Sequence, residues 1–319
     1  MVNTARRRLL GAVLAGCTGS RVSRVSGVSG VSGMSQDRAV AITIDDLDAN
    51  AEDTPRLDLD QRNVAILAAL RRHRLRAALF VCGMRVDNDT GRGHLREWGR
   101  EGHLICNHTY SHIPYSTTTF ERFSADALRC EAVIENVRGF RKLFRFPALK
   151  EGATREQRDG MRAFLREHGY GMGYVTIDAS DWAIDDRLRR RLAADPRAEA
   201  TPYRDFLLEH ISERAQFYDD LARRVLGRSV RHTLLIHHNL LTALFLEDLL
   251  QMFLSRGWRL IDADEAFRDP VFTREPDIVP AGESLVWALA KETGRYDALL
   301  RYPGEDSRYE DSRMDELGL

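Results

Sequence analysis

His108 and His112, in the run His-Thr-Tyr-Ser-His, are the residues whose type and spacing point most directly to chemistry. Spacing of i, i+4 predicts two imidazoles on one face of a helical turn, as a divalent metal requires. A third donor has to come from elsewhere, and Asp45-Asp46 offers two carboxylates. Adjacent residues at a strand end diverge in direction, so one can ligate while its neighbour takes a proton. The competing use of this pair is an acidic helix N-cap, with Asp48 nearby. Farther along, Asp178 and Asp181 precede Trp182, and His237 emerges from the apolar run Thr233-Leu234-Leu235-Ile236. An imidazole in that position is either a general acid or a hydrogen-bonded core histidine. His238 receives no role.

These residues need a scaffold that brings distant segments together, and the pattern of apolar runs supplies one. Short apolar stretches alternate with longer segments of helical period, the signature of βα units and an α/β barrel. Strands are expected at 39–44, 77–81, 104–106, 144–146, 173–177, 233–236 and 259–261. Helices are expected around Val64, Leu67, Ala68 and Leu70, over 92–101, over most of 120–143, from a Thr154 cap to His168, and over 241–256. The candidate residues then fall at or just beyond the C-terminal ends of strands, the edge that holds the active site in α/β barrels. The charged connection 186–231 is long for a βα loop; its segment 203–226 has helical period and reads as a helical insertion before the last strands. Beyond Pro270 the pattern weakens to one short helix near 285–291 and a loose, charged C-terminus, so 269–319 is set apart as an extension.

The N-terminus differs from all that follows. Arg6, Arg7 and Arg8 precede the apolar stretch Leu9 to Gly16 and then Cys17, the layout of an export signal over residues 1–17, and Leu14-Ala15-Gly16-Cys17 has the form of a bacterial lipobox. The expectation is an exported protein of the cell envelope or periplasm, anchored to the membrane through a lipidated Cys17. Repeated Val-Ser-Gly over 18–38 reads as a flexible tether. Cys82, Cys106 and Cys130 lack metal-type spacing and are expected to be small buried hydrophobes. A formal net charge of -1 supplies no positive field for nucleic acid, which is excluded as a partner.

In order and content these segments resemble the polysaccharide deacetylases with a NodB homology domain, the family-four carbohydrate esterases, from about Ala39 to Phe267. Thr43-Ile44-Asp45-Asp46 resembles the first family motif, His108 to His112 the second with Gly102 to Asn107 as its lead-in, and Arg145-Phe146-Pro147 the third. Asp178-Ala179-Ser180-Asp181-Trp182 resembles the fourth, and Leu235-Ile236-His237 the fifth. The resemblance implies a distorted (β/α) barrel over 39–268, with Asp45 as catalytic base, Asp46, His108 and His112 as metal ligands, and Arg145 orienting the base. It further implies that Asp181 tethers His237, that His237 is the general acid, and that Trp182, Pro147 and Ala148 meet the substrate. Two departures, Leu47-Asp48 where Gly-Pro is common and a glycine displaced to Gly152, bear on substrate-facing loops more than on the metal shell.

The implied reaction removes N- or O-acetyl groups from an acetylated polysaccharide or oligosaccharide by metal-activated water. Zinc is the first choice for two His and one Asp, with cobalt, nickel or manganese as alternatives. Two other readings stand beside it: a catalytically inactive glycan-binding envelope protein of the same fold, and a non-haem iron oxygenase using the same ligand set. No protein partner is implied.

Overall fold

In the computed structural model, which describes residues 38–319, the centre of the molecule is β1 (Ala39–Asp45), seven residues buried without interruption. Burial on both faces is what a parallel strand covered by helices requires, and it explains why this run is apolar rather than alternating. The remaining strands are β2 (Ala78–Val81), β3 (Leu104–Asn107), β4 (Phe140–Phe144), β5 (Lys150–Gly152), β6 (Gly171–Met172), β7 (Arg231–His237), β8 (Arg259–Leu260) and β9 (Ala281–Gly282). The main sheet runs β6-β4-β3-β2-β1-β7, all parallel, and β8 joins β1 at Ala39 and Val40. β5 and β9 form a separate antiparallel pair.

The sheet closes on itself through an irregular seam. The segment leaving β6 meets β7 at a single parallel bridge, Ile177 to Leu234, and the amides of Thr176 and Ile177 both donate to the Thr233 carbonyl, at 3.2 and 3.0 Å. The strand expected over 173–177 therefore does not form, although the distorted barrel does. Its backbone is satisfied by other partners: Leu285 N donates to Val175 O at 2.7 Å and Ser284 Oγ to Thr176 O at 2.9 Å. Gly173 begins the segment hard against Phe80, where an added Cβ would lie 2.3 Å from the ring.

Around the sheet lie α1 (Leu59–Arg72), α2 (Asp89–Arg100), α3 (Phe120–Ile134), α4 (Arg155–Glu167), α5 (Asp181–Ala194), α6 (Thr201–Leu226), α7 (Leu240–Ser255), α8 (Leu285–Thr293) and α9 (Ser307–Glu316). Local chemistry sets their starts. Asp58 and Gln61 make a reciprocal capping box at α1, and Thr154 caps α4 as expected, accepting from Gln157 N. On α1 the buried stripe is Asn63, Ile66, Leu67 and Leu70, and Val64 faces solvent. Residues 120–143 divide into α3 and β4, because Gly139 (φ 91°) leads into β4 so close to the His103 carbonyl that only a glycine fits.

The expected insertion is two helices, α5 and α6, joined over 195–200, with Gly227 (φ 73°) ending α6. Both bury an apolar face, Ile184, Leu188 and Leu192 on α5 and Tyr203, Phe206 and Ile211 on α6. The C-terminus is not loose. Met314 and Glu310 on α9 are fully buried, and Arg187 ties α5 to Asp311 and Asp315 at 3.0 and 2.6 Å. Apolar burial of this helix was masked in the sequence by charges that turn out to be paired. Cys82, Cys106 and Cys130 are free and buried, as expected. The leader, Cys17 and all of the tether but its last residue fall on residues 1–37, outside those described, and no described helix is long and apolar enough to cross a membrane.

Gly282 (φ 127°) is the tightest point between β9 and the loop before β5: an added Cβ would lie 1.9 Å from the Leu149 carbonyl oxygen. Gly282→Ala is expected to lower unfolding free energy by roughly 3 kcal/mol, read from urea denaturation, since both strain and displaced backbone contribute.

Candidate active site

Asp45 ends β1 and Asp46 follows in the left-handed region (φ 64°), a conformation Asp tolerates better than most residues. That turn separates the two carboxylates. Asp45, 2% exposed, accepts from Arg145 Nη1 at 2.5 Å. The guanidinium also donates to Thr43 Oγ1 at 3.0 Å and to the Gly173 carbonyl at 2.8 Å, and it lies over the Phe80 ring. Burial pushes the Asp45 carboxyl up to about 6 in spite of Arg145 and His237.

Asp46, His108 and His112 converge: each offers one ligand atom, and these atoms lie within 4.8 Å of one another. The histidine pair is not on a helix. Thr109 (φ 68°) and His112 (φ 56°) are left-handed, and the turn is held by Asp126, whose carboxylate accepts from Tyr110 N, Ser111 N and Ser111 Oγ at 3.0, 2.9 and 2.8 Å. The spacing expected to work through a helical turn works through this loop instead, with ring centroids 5.0 Å apart.

The donor set fits a metal. His108 Nδ1 lies 2.8 Å from the Arg145 carbonyl; a carbonyl only accepts, so Nδ1 carries the proton and Nε2 keeps its lone pair. Burial holds both imidazoles near 4, hence neutral at pH 7. Burial opposes ionisation of Asp46, but His108, His112 and Arg85 outweigh it and hold this carboxyl at about 2. Its Oδ1 is buried and lacks a hydrogen-bond partner, which leaves an anionic oxygen for a cation.

His237, at the end of β7, points its Nδ1 at Asp181 Oδ1 over 2.7 Å, and its own amide donates to Asp181 Oδ2 at 3.0 Å. Asn239 Nδ2 adds a third bond to Asp181 at 3.0 Å. Burial alone would lower His237, yet Asp181, then Asp46 and Asp45, raise it to about 9, so the imidazolium is the resting form at neutral pH. Asp45, His237, Asp46, His108 and His112 share one cavity of about 450 Å³. Trp182, 46% exposed, and Ala148 are on its wall; Pro147, expected to meet the substrate, is buried and does not line it. Ala148 (φ 50°) and Leu149 (φ 57°) are consecutive left-handed residues, held by Glu283 N donating to Leu149 O at 3.0 Å.

Sequence reasoning missed two groups here. Arg85, three residues beyond Cys82, pairs with Asp46 Oδ2 at 2.9 Å; its position after a strand end was the only available signal. Lys150, Glu283, Pro303, Glu305 and Asp306 also line the cavity, most of them from the stretch read as loose.

No curated protein matches the chain. Among solved structures it is similar to a CE4 family pseudoenzyme from Bacillus anthracis, with 16% identity over 73% of this chain and 66% of that one and a TM-score of 0.51. A mutant of that pseudoenzyme with restored enzymatic activity aligns at 18% identity over 73% and 68% of the two chains, again with a TM-score of 0.51. A family 4 carbohydrate esterase from Streptomyces lividans, in complex with acetate, aligns at 19% identity over 70% and 92%, with a TM-score of 0.46. The first two likenesses bear on the fold, and the motifs seated at its C-terminal edge need a match of their own. Residues 32–172, which run from ahead of β1 to the end of β6, match the family model described as polysaccharide deacetylase.

Proposed function

We propose that the protein is an active, metal-dependent hydrolase that removes acetyl groups from an acetylated polysaccharide or oligosaccharide. The observation that carries this reading is the shared cavity, in which an Asp-His-His donor set, a buried carboxylate and a charged imidazole face one space. Asp46, His108 and His112 would hold the cation, zinc being the first choice for this set. A divalent ion bound there supplies Lewis acidity, polarising the scissile carbonyl and lowering the pKa of water.

The chain's own residues divide the remaining work. Asp45 takes the proton of the attacking water, and Arg145 holds that carboxylate in place through the 2.5 Å bond. Ala148, on the cavity wall, offers its backbone N–H to the developing oxyanion. His237 gives its proton to the departing nitrogen or oxygen, and Asp181 keeps it charged and aimed through Nδ1, leaving Nε2 for the leaving group. Trp182 walls the acetyl-binding side. Arg6 to Cys17 further supports export to the cell envelope, with lipid attached at Cys17.

Two experiments test this reading. The purified protein is expected to bind one divalent cation and to release acetate from an acetylated glycan. Chelation stops the release and zinc restores it, His112→Ala loses both metal and activity, and Asp45→Asn keeps the metal but loses roughly 10²-fold or more in kcat. Metal uptake without acetate from peptidoglycan, chitin oligomers or acetylated xylan would leave only a glycan-binding protein. The second experiment is a pH profile. Activity rises as Asp45 ionises and falls as His237 loses its proton; a bound cation favours the carboxylate and disfavours the imidazolium, so both limbs lie below the metal-free values of about 6 and about 9. Asp181→Asn removes the main influence that raises His237, so the alkaline limb moves to lower pH; a limb that stays in place counts against His237 as the acid.

A further inference from the structure

The cavity wall extends well past the catalytic residues. Lys150, Asp178 and Glu283 continue it, followed by Pro303, Glu305 and Asp306 on a strap between α8 and α9. This strap is tied down. The Glu305 side chain, 1% exposed, is paired with Arg214 and, at 2.5 Å, with Arg301. Trp287 Nε1 donates to the Arg301 carbonyl at 2.7 Å. Gly304 (φ 96°) lies against Glu283, where a Cβ would sit 2.1 Å from Oε2. Glu283 is in turn paired with Lys150, and Asp306 accepts from Arg308 Nε at 2.9 Å.

Asp178 differs from these neighbours. It is 8% exposed and faces the cavity, yet among the described residues no hydrogen bond or ion pair reaches its carboxylate. A carboxylate this buried is normally paired. Burial, then Glu305 and Glu283, push its carboxyl well above the ordinary range in spite of His237 and Lys150, whose charges do not suffice to stabilise the ionised form. A cation brought by a ligand does.

We propose that Asp178, with Glu283, Glu305 and Asp306 around it, forms a subsite for an ammonium group on a sugar unit next to the one being deacetylated. The favoured substrates are then partly N-deacetylated amino-sugar oligomers. The assignment rests on the deacetylase reading above and deepens it.

Binding is measured first, by calorimetry on the full-length His108→Ala chain, using fully N-deacetylated and fully N-acetylated tetramers of one linkage. The ammonium-bearing tetramer is expected to bind about tenfold more tightly, with an advantage that shrinks in high salt. Asp178→Asn in that background is expected to bring the two affinities together. Equal affinities with Asp178 intact, which needs no further variant to observe, or an advantage that survives Asp178→Asn, overturns the subsite. Turnover is measured second, on the metal-loaded protein. The preference in kcat/KM for partly deacetylated over fully acetylated oligomers is expected to fall toward one in Asp178→Asn, through KM. Acetate release without any such preference overturns the subsite and leaves the deacetylase reading standing. Asp178-dependent binding without acetate release from any glycan does the reverse.

Discussion

A single buried guanidinium links the two halves of this site. Arg145 binds Asp45 from β1, Thr43 one turn of the pleat below, and the carbonyl of Gly173, while its own carbonyl fixes the His108 tautomer. Asp45 and His108 are thus positioned by opposite ends of one residue. Burying such a pair is costly, and the cost is offset only because each polar atom of the guanidinium finds a partner and its face lies on Phe80. Loss of either member would leave the other charged and unpaired in a dry interior, a change worth several kcal/mol. Rigidity here has a functional return, since proton transfer depends on a carboxylate that stays where it is put.

The parts of the site legible in the sequence are those whose chemistry coincides with a strand end. β1, β3 and β7 each run from an apolar stretch straight into Asp45, His108 and His237, so the order of residues itself announces the edge. Where the backbone departs from regular geometry, the pattern misleads. The His108–His112 pair has helical spacing but occupies a loop with two left-handed residues, because Asp126, distant in sequence, holds that turn. Gly173 to Ile177 has the composition of a strand, yet its backbone bonds are taken by Thr233, Ser284 and Leu285, partners that no local window includes. β4 is hidden behind α3 because Gly139, the residue that separates them, looks like any loop glycine.

The C-terminal stretch shows the same limit from the side of charge. Arg301, Glu305 and Glu310 read as solvated, and in the fold they form a network with Arg214 that seats the strap beside the cavity. Composition counts charges without showing whether they face water or one another. Arg85 is a similar case. Its pairing with Asp46 places a fixed positive charge beside that carboxylate and helps keep it ionised and oriented.

The clamp between Leu149 and β9 bears on how such a protein can be divided. The family-matched stretch stops at Met172, but the backbone turn that carries Ala148 is held by Glu283, and β5 has its pairing partner in β9. The matched stretch and the folded unit therefore do not share a boundary. Excising the first would strip the turn that carries Ala148 of its support, and grafting that turn onto another protein would require transplanting its distant brace as well.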